Sequence, residues 1–143
     1  MSEANEATVR RFLGLFNTAV PDVAALMACL APDARYQALV PLANTMQGAD
    51  KICAEIARQY EIYVDCDCAI THIASDGDTV FTERVDTVRQ LSDGRKPVTH
   101  VVGIFDLDAS HRITFWREYW DGLAVAAEMG IPAEALKQIM TSG

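Results

Sequence analysis

Apolar residues recur at steps of three and four near the start of the chain. Val9, Phe12, Leu13, Phe16 and Val20 fall on one side of a helix, which Pro21 ends. Pro21 is well placed to open a second, short helix with Val23, Leu26, Met27 and Leu30 on its apolar face, closed by Pro32-Asp33. Residues 34–40 read as a short strand and 41–48 as a loop. A third helix is expected from Ala49 to about Tyr63, with Ile52, Ile56, Tyr60 and Tyr63 aligned. The pattern then changes to strands. Segments 64–74, 79–91, 98–107 and 111–120 are rich in β-branched and aromatic residues. Turn signals at Ser75-Asp76-Gly77-Asp78, Ser92-Asp93-Gly94 and Asp108-Ala109-Ser110 separate them. Asp121 caps a helix that Gly130 ends, and an amphipathic stretch runs from Ala133 to Met140. Three helices before a strand meander predict an α+β domain, with the helices on one face of a curved, mostly antiparallel sheet. Such a sheet encloses a pocket between its concave face and the helices.

Composition narrows the function classes. At 143 residues, half of them hydrophobic, the chain fits one domain, 1–143, with a real core. No apolar run approaches the roughly 20 residues of a membrane span. Met1 to Arg10 lacks the basic and apolar regions of a signal peptide, so a cytoplasmic protein is expected. The net charge is −8, and the twelve basic residues are scattered. That argues against nucleic acid as a partner. The four cysteines are Cys29, Cys53, Cys66 and Cys68. Cys66 and Cys68 face the same way on a strand, but no second pair completes a metal site, and all four read as reduced, buried thiols. No Gly-rich nucleotide motif and no Gly-x-Ser-x-Gly elbow occurs.

The candidate chemistry sits on two strands. Alternation puts Arg84, Asp86 and Val88 on one face, and Glu83, Val85 and Thr87 on the other. Trp116, Glu118 and Trp120 share a face of the last strand, and between the two strands in sequence lie Thr99, Val101, Gly103 and Phe105. If the faces with Arg84 and Glu118 both point inward, two carboxylates and one guanidinium meet among apolar groups. One Arg has donors enough to span both. Such a triad can push carboxyl pKa values apart, leaving one group a base and the other an acid. Alternation alone does not establish this convergence, since both strands could instead expose those charges to water.

The run Thr82-Glu83-Arg84-Val85-Asp86, followed by Gly103-Ile104-Phe105 and by Ile113-Thr114-Phe115-Trp116-Arg117-Glu118-Tyr119-Trp120-Asp121, resembles the limonene-1,2-epoxide hydrolase family. That family belongs to the cone-shaped folds resembling nuclear transport factor 2, so the resemblance implies a curved mixed sheet with helices in its concavity. In the family an Arg and an Asp two residues apart flank the epoxide, which places Arg84 and Asp86 there. A second Asp after the Trp-Arg pair corresponds to Glu118. A Tyr and an Asn help hold the nucleophilic water. The Tyr corresponds to Tyr36, and the Asn position is Ala38 here. Glu for Asp extends the carboxylate by a methylene, which can move the water by about 1 Å. Ala38 removes an amide, and Asn44 or Thr45 in the following loop are candidates to replace it.

The resemblance implies hydrolysis of a small lipophilic epoxide to a vicinal diol with no cofactor and no metal. Tyr36, Arg84, Asp86 and Glu118 would be catalytic, and Val88, Val101, Trp116 and Trp120 would line the substrate site. The same scaffold also hosts cyclases and isomerases of polyketide or terpenoid intermediates, including epoxide-opening ones, and binding modules without turnover. Trp116 and Trp120 have core as the alternative to substrate wall. Arg117 and Tyr119 fall on the opposite face. Val85, Val102 and Ile104 make an apolar outer face, from which a homodimer is expected.

Overall fold

The structure, a computed structural model, describes residues 2–141. Helices α1 (Glu3–Gly14) and α2 (Val23–Cys29) precede strand β1 (Leu30–Gln37), the two-residue strand β2 (Met46–Gln47) and helix α3 (Ala49–Gln59). The meander is β3 (Tyr63–Asp76), β4 (Thr79–Gln90), β5 (Val98–Leu107) and β6 (Ile113–Trp120). Helices α4 (Gly122–Met129) and α5 (Ala133–Thr141) follow. One curved, unclosed sheet runs in the order β2-β1-β6-β5-β4-β3. Every pairing is antiparallel except β1 with β6. Among the described residues no helix is long and apolar enough to cross a membrane.

Local chemistry sets the ends of the elements. The Ser2 hydroxyl caps α1 by accepting from the Asn5 N–H at 3.1 Å, and Asp22 and Asp121 cap α2 and α4 in the same way. Gly130, in the left-handed region, closes α4 as expected. Helix α1 stops at Gly14, not at Val20, which is 77% exposed. Glycine is a poor helix former, and the segment that follows has its own task. There Asn17 Oδ1 accepts from the Cys68 N–H at 2.7 Å, beside an irregularity in β3 where Asp65 has positive φ. The opener of α2 is Asp22 as cap, not Pro21. Strand β1 begins at Leu30 and passes through Pro32-Asp33, expected as a helix stop, because the β1–β6 pairing is interrupted between Leu30 and Arg35, where a missing N–H costs nothing. The 41–48 loop contains β2, and α3 ends at Gln59, short of Tyr63.

The core lies between α1, α3 and the concave face. Phe12, Phe105 and Trp116 are buried there, with Phe12 edge-on to Trp116 at 5.0 Å and Phe105 stacked on it at 6.2 Å. A smaller cluster of Val125, Ala126, Met129 and Leu136 joins α4 to α5. The Arg58 guanidinium of α3 donates to the Ile139 carbonyl at 2.9 Å and ties α5 down.

One register detail positions everything that follows. Gly103 on β5 lies opposite Thr82 on β4 and Glu118 on β6. A Cβ at Gly103 would stand 2.6 Å from Arg84 Nη1 and 2.8 Å from Glu118 Oε2. The missing side chain is the space through which Arg84 crosses β5. Gly103→Ala is therefore expected to destabilise the fold by about 1–3 kcal/mol through overpacking. Urea denaturation checks this, and unchanged stability would show that Arg84 has another path.

Candidate active site

Strand β4 carries Arg84 into the concavity, where it is 3% exposed. A buried cation needs partners, and Arg84 has two. Its Nε donates to Asp86 Oδ1 and Oδ2 at 2.9 and 3.1 Å. Its Nη1 donates to Glu118 Oε2 at 3.0 Å, and Nη2 donates to Glu118 Oε1. Both sequence-expected strand faces therefore point inward, and one guanidinium bridges both carboxylates. Burial works against the Arg84 charge, but the two carboxylates more than offset this, and the guanidinium is held well above its ordinary value.

Glu118 is buried, and burial raises its carboxyl above the ordinary glutamate range against the opposing pull of Arg84; the Asp86 charge adds to the rise. The indole N–H of Trp116 is buried without a well-formed hydrogen bond, yet it favours the Glu118 carboxylate. Tyr36 stacks on Trp116 at 3.9 Å. Burial and the Glu118 charge push its hydroxyl far up, so it is a neutral donor. The β1–β6 register puts Tyr36 opposite Trp116, two residues from Glu118.

These groups line a cavity of about 140 Å³. That resembles a void of roughly 150 Å³ that holds benzene, so a small molecule fits. All eight residues singled out in the sequence reach it: Tyr36, Arg84, Asp86 and Glu118 with Val88, Val101, Trp116 and Trp120. Trp116 is core and wall at once, 3% exposed with Phe12 and Phe105 behind it. Trp120 donates from Nε1 to the Ala38 carbonyl at 2.7 Å. Leu13 and Phe16 close the helical side, and Val125, Met129 and Leu136 close one end.

The thiols Cys66 and Cys68 also line the cavity, half-buried and not fully buried as expected, with sulfurs 3.6 Å apart. The hydrogen bond with Cys66, burial and the Asp86 charge hold the Cys68 thiol firmly protonated. A protonated thiol is a poor nucleophile. Among the described residues no group of three or more His, Cys, Asp or Glu is placed to hold a metal ion.

Several sequence candidates lie elsewhere. Asn44 and Thr45 line a second cavity of about 560 Å³, between α3 and the 38–47 segment, and do not reach the first. Arg117 pairs with Asp106 at 2.8 Å, and Tyr119 is exposed on the outer face. His72 contacts Glu83 and His111 contacts Asn5. Sequence reasoning missed Gln59, a buried carboxamide lining both cavities. The signal was present: Gln59 falls three residues after Ile56 and seven after Ile52, on the apolar face of α3.

Known proteins share this fold. The chain resembles an LEH-like epoxide hydrolase of M. tuberculosis at 25% identity and TM-score 0.75, over 87% of this chain and 88% of that one. A putative SnoaL-like polyketide cyclase from Jannaschia shares the fold at TM-score 0.79 and 20% identity, over 92% and 97% of the two chains. So does a Catenulispora acidiphila protein with a ketosteroid isomerase-like fold, at TM-score 0.78 and 21% identity, over 89% and 95%. The family model of the limonene-1,2-epoxide hydrolase catalytic domain matches residues 3–129, all of the chain from α1 through α4. With that match over the elements that carry Tyr36, Arg84, Asp86 and Glu118, the chain belongs to the limonene-1,2-epoxide hydrolase family.

Proposed function

We propose that the protein is a cofactor-independent epoxide hydrolase that adds water to a small lipophilic epoxide in one step. The observation that carries this is the single buried Arg84 bridging Asp86 and Glu118 at the wall of an apolar cavity. Two carboxylates and one guanidinium leave one negative charge in a poorly solvated place. Taking up one proton neutralises the cluster, and the surroundings of the two carboxyls, Tyr36 beside Glu118 and the greater exposure of Asp86, assign the base to Glu118 and the acid to Asp86. Glu118, next to Tyr36, takes the proton of the attacking water. Its raised pKa makes it a stronger base than an exposed glutamate. Asp86, at the more open end of the triad, gives its proton to the epoxide oxygen as the C–O bond breaks. The water oxygen forms the new C–O bond, and the product is a vicinal diol. The protonated Cys68 thiol does not compete for the epoxide.

A second reading has one observation in its favour. Ala38 lies on the wall shared by both cavities and offers no side-chain amide to a water. An internal hydroxyl of the substrate could then open the ring, and the product would be a cyclic ether. The exposed outer face of the sheet, with Phe81, Val102 and Tyr119 each about 40% exposed, supports a homodimer. Light scattering is expected to give twice the chain mass, and a monomer at micromolar concentration would contradict it. Four free thiols suit a reducing compartment such as the cytoplasm.

Incubation with terpene and cycloalkene epoxides is expected to yield diols. Asp86→Asn should remain folded by circular dichroism and lose about 10²–10⁴-fold in rate. Retained activity would remove Asp86 from the acid role, and cyclic ethers would select the second reading. The base must be ionised, so kcat/KM should fall as pH drops through the raised Glu118 value. The midpoint of that acid limb is expected above the ordinary glutamate value of 4.5. A limb at or below it would show that Glu118 is not the titrating base.

A further inference from the structure

The site needs a polar group to do what Ala38 cannot, and the second cavity does not supply it. The Ala38 side chain is a methyl, and its carbonyl already accepts from Trp120 Nε1. Asn44 and Thr45 line the neighbouring cavity only. Gln59 is the last residue of α3, 8% exposed, and it reaches the wall where Tyr36 and Ala38 separate the two cavities. Its orientation is set. The Tyr63 hydroxyl donates to Gln59 Oε1 at 2.8 Å. That leaves the –NH₂ end as the donor directed away from Tyr63. Gln59 and Tyr36 line the same wall of both cavities, and the Gln59 side chain pulls against the rise of the Tyr36 hydroxyl. With Oε1 held by Tyr63, the amide N–H is the end of Gln59 left to be offered to the Tyr36 oxygen.

We propose that Gln59 is a positioning residue of the active site: anchored by Tyr63, its amide fixes the direction of the Tyr36 hydroxyl and so takes over the water-holding task that Ala38 lacks. With the Tyr36 oxygen engaged by the Gln59 N–H, the Tyr36 O–H turns to the cavity and donates to the attacking water. One water lone pair accepts that bond, and the other attacks the epoxide carbon. One water proton passes to Glu118. The donors run in one direction, from Tyr63 to Gln59 and from Gln59 to Tyr36, then to the water and Glu118. Chains of this kind hold a nucleophile within the narrow geometry that attack requires.

This inference rests on the hydrolase reading, and a double-mutant cycle separates the two. Gln59→Met keeps the volume and removes the amide. It is expected to lower kcat roughly tenfold with KM unchanged, the cost of one lost hydrogen bond in the transition state. In a Tyr36→Phe background the same substitution should change kcat by less than about twofold, because Gln59 acts through the Tyr36 hydroxyl. Tyr63→Phe, which removes only the anchor, should give a smaller loss that is likewise silent in Tyr36→Phe. It carries the test if Gln59→Met does not fold. Full kcat in both single variants, or losses that multiply in the Tyr36→Phe background, would overturn the role of Gln59 and leave the hydrolase reading standing. A wild-type protein that forms no diol from any epoxide would overturn both.

Discussion

A guanidinium buried between two carboxylates organises this molecule. Arg84 cannot be left unpaired at 3% exposure, because an isolated buried charge costs far more than a domain's margin of stability. Both partners must therefore converge on it, and this fixes the register of three strands. Asp86 comes from the same strand, two residues on. Glu118 comes from β6, across β5, and the path exists because Gly103 has no side chain. The aromatic stack of Tyr36 on Trp116, backed by Phe105 and Phe12, walls the charges from the core. The ion-pair geometry and the cavity thus have one cause: a charged triad admitted to an apolar concavity only where the cation meets both carboxylates.

The triad's composition explains its chemistry. Coulomb attraction to Arg84 favours ionised carboxylates, and burial favours neutral ones. At Glu118 burial prevails, so the carboxyl rises while remaining in contact with a permanent cation. In the proposed reaction Glu118, raised and held by Arg84, combines proton affinity with position. The Cys68 thiol, opposite Asp86 on the neighbouring strand, is raised as well: the hydrogen bond with Cys66, burial and the Asp86 charge suppress its thiolate. One low-dielectric surface makes an oxygen base stronger and keeps sulfur silent.

Much of this was legible in the sequence. Alternation along β4 and β6 sorts Arg84 and Asp86 from Glu83 and Val85, and Glu118 from Arg117 and Tyr119, with no knowledge of tertiary structure. The strands of the meander and the caps at Asp121 and Gly130 follow from the same local rules. What escaped depends on contacts distant in sequence. The end of α1 at Gly14 serves Asn17, whose partner Cys68 lies 51 residues on. Pro32 sits in a strand because the β1–β6 ladder is already irregular there. Gln59 escaped for another reason. A polar residue on an apolar helix face reads as an exception to the pattern, and its meaning came only with Tyr36 and Tyr63 beside it.

In the proposed reaction water, not an enzyme carboxylate, attacks the epoxide. The most direct test is a single turnover in ¹⁸O-labelled water with enzyme in excess over an epoxide substrate. Direct attack by water gives one labelled oxygen in the diol from the first turnover and no label in the protein. Unlabelled first-turnover diol, with ¹⁸O appearing in Glu118 or Asp86, would mean that a carboxylate formed an ester with the substrate and would contradict it.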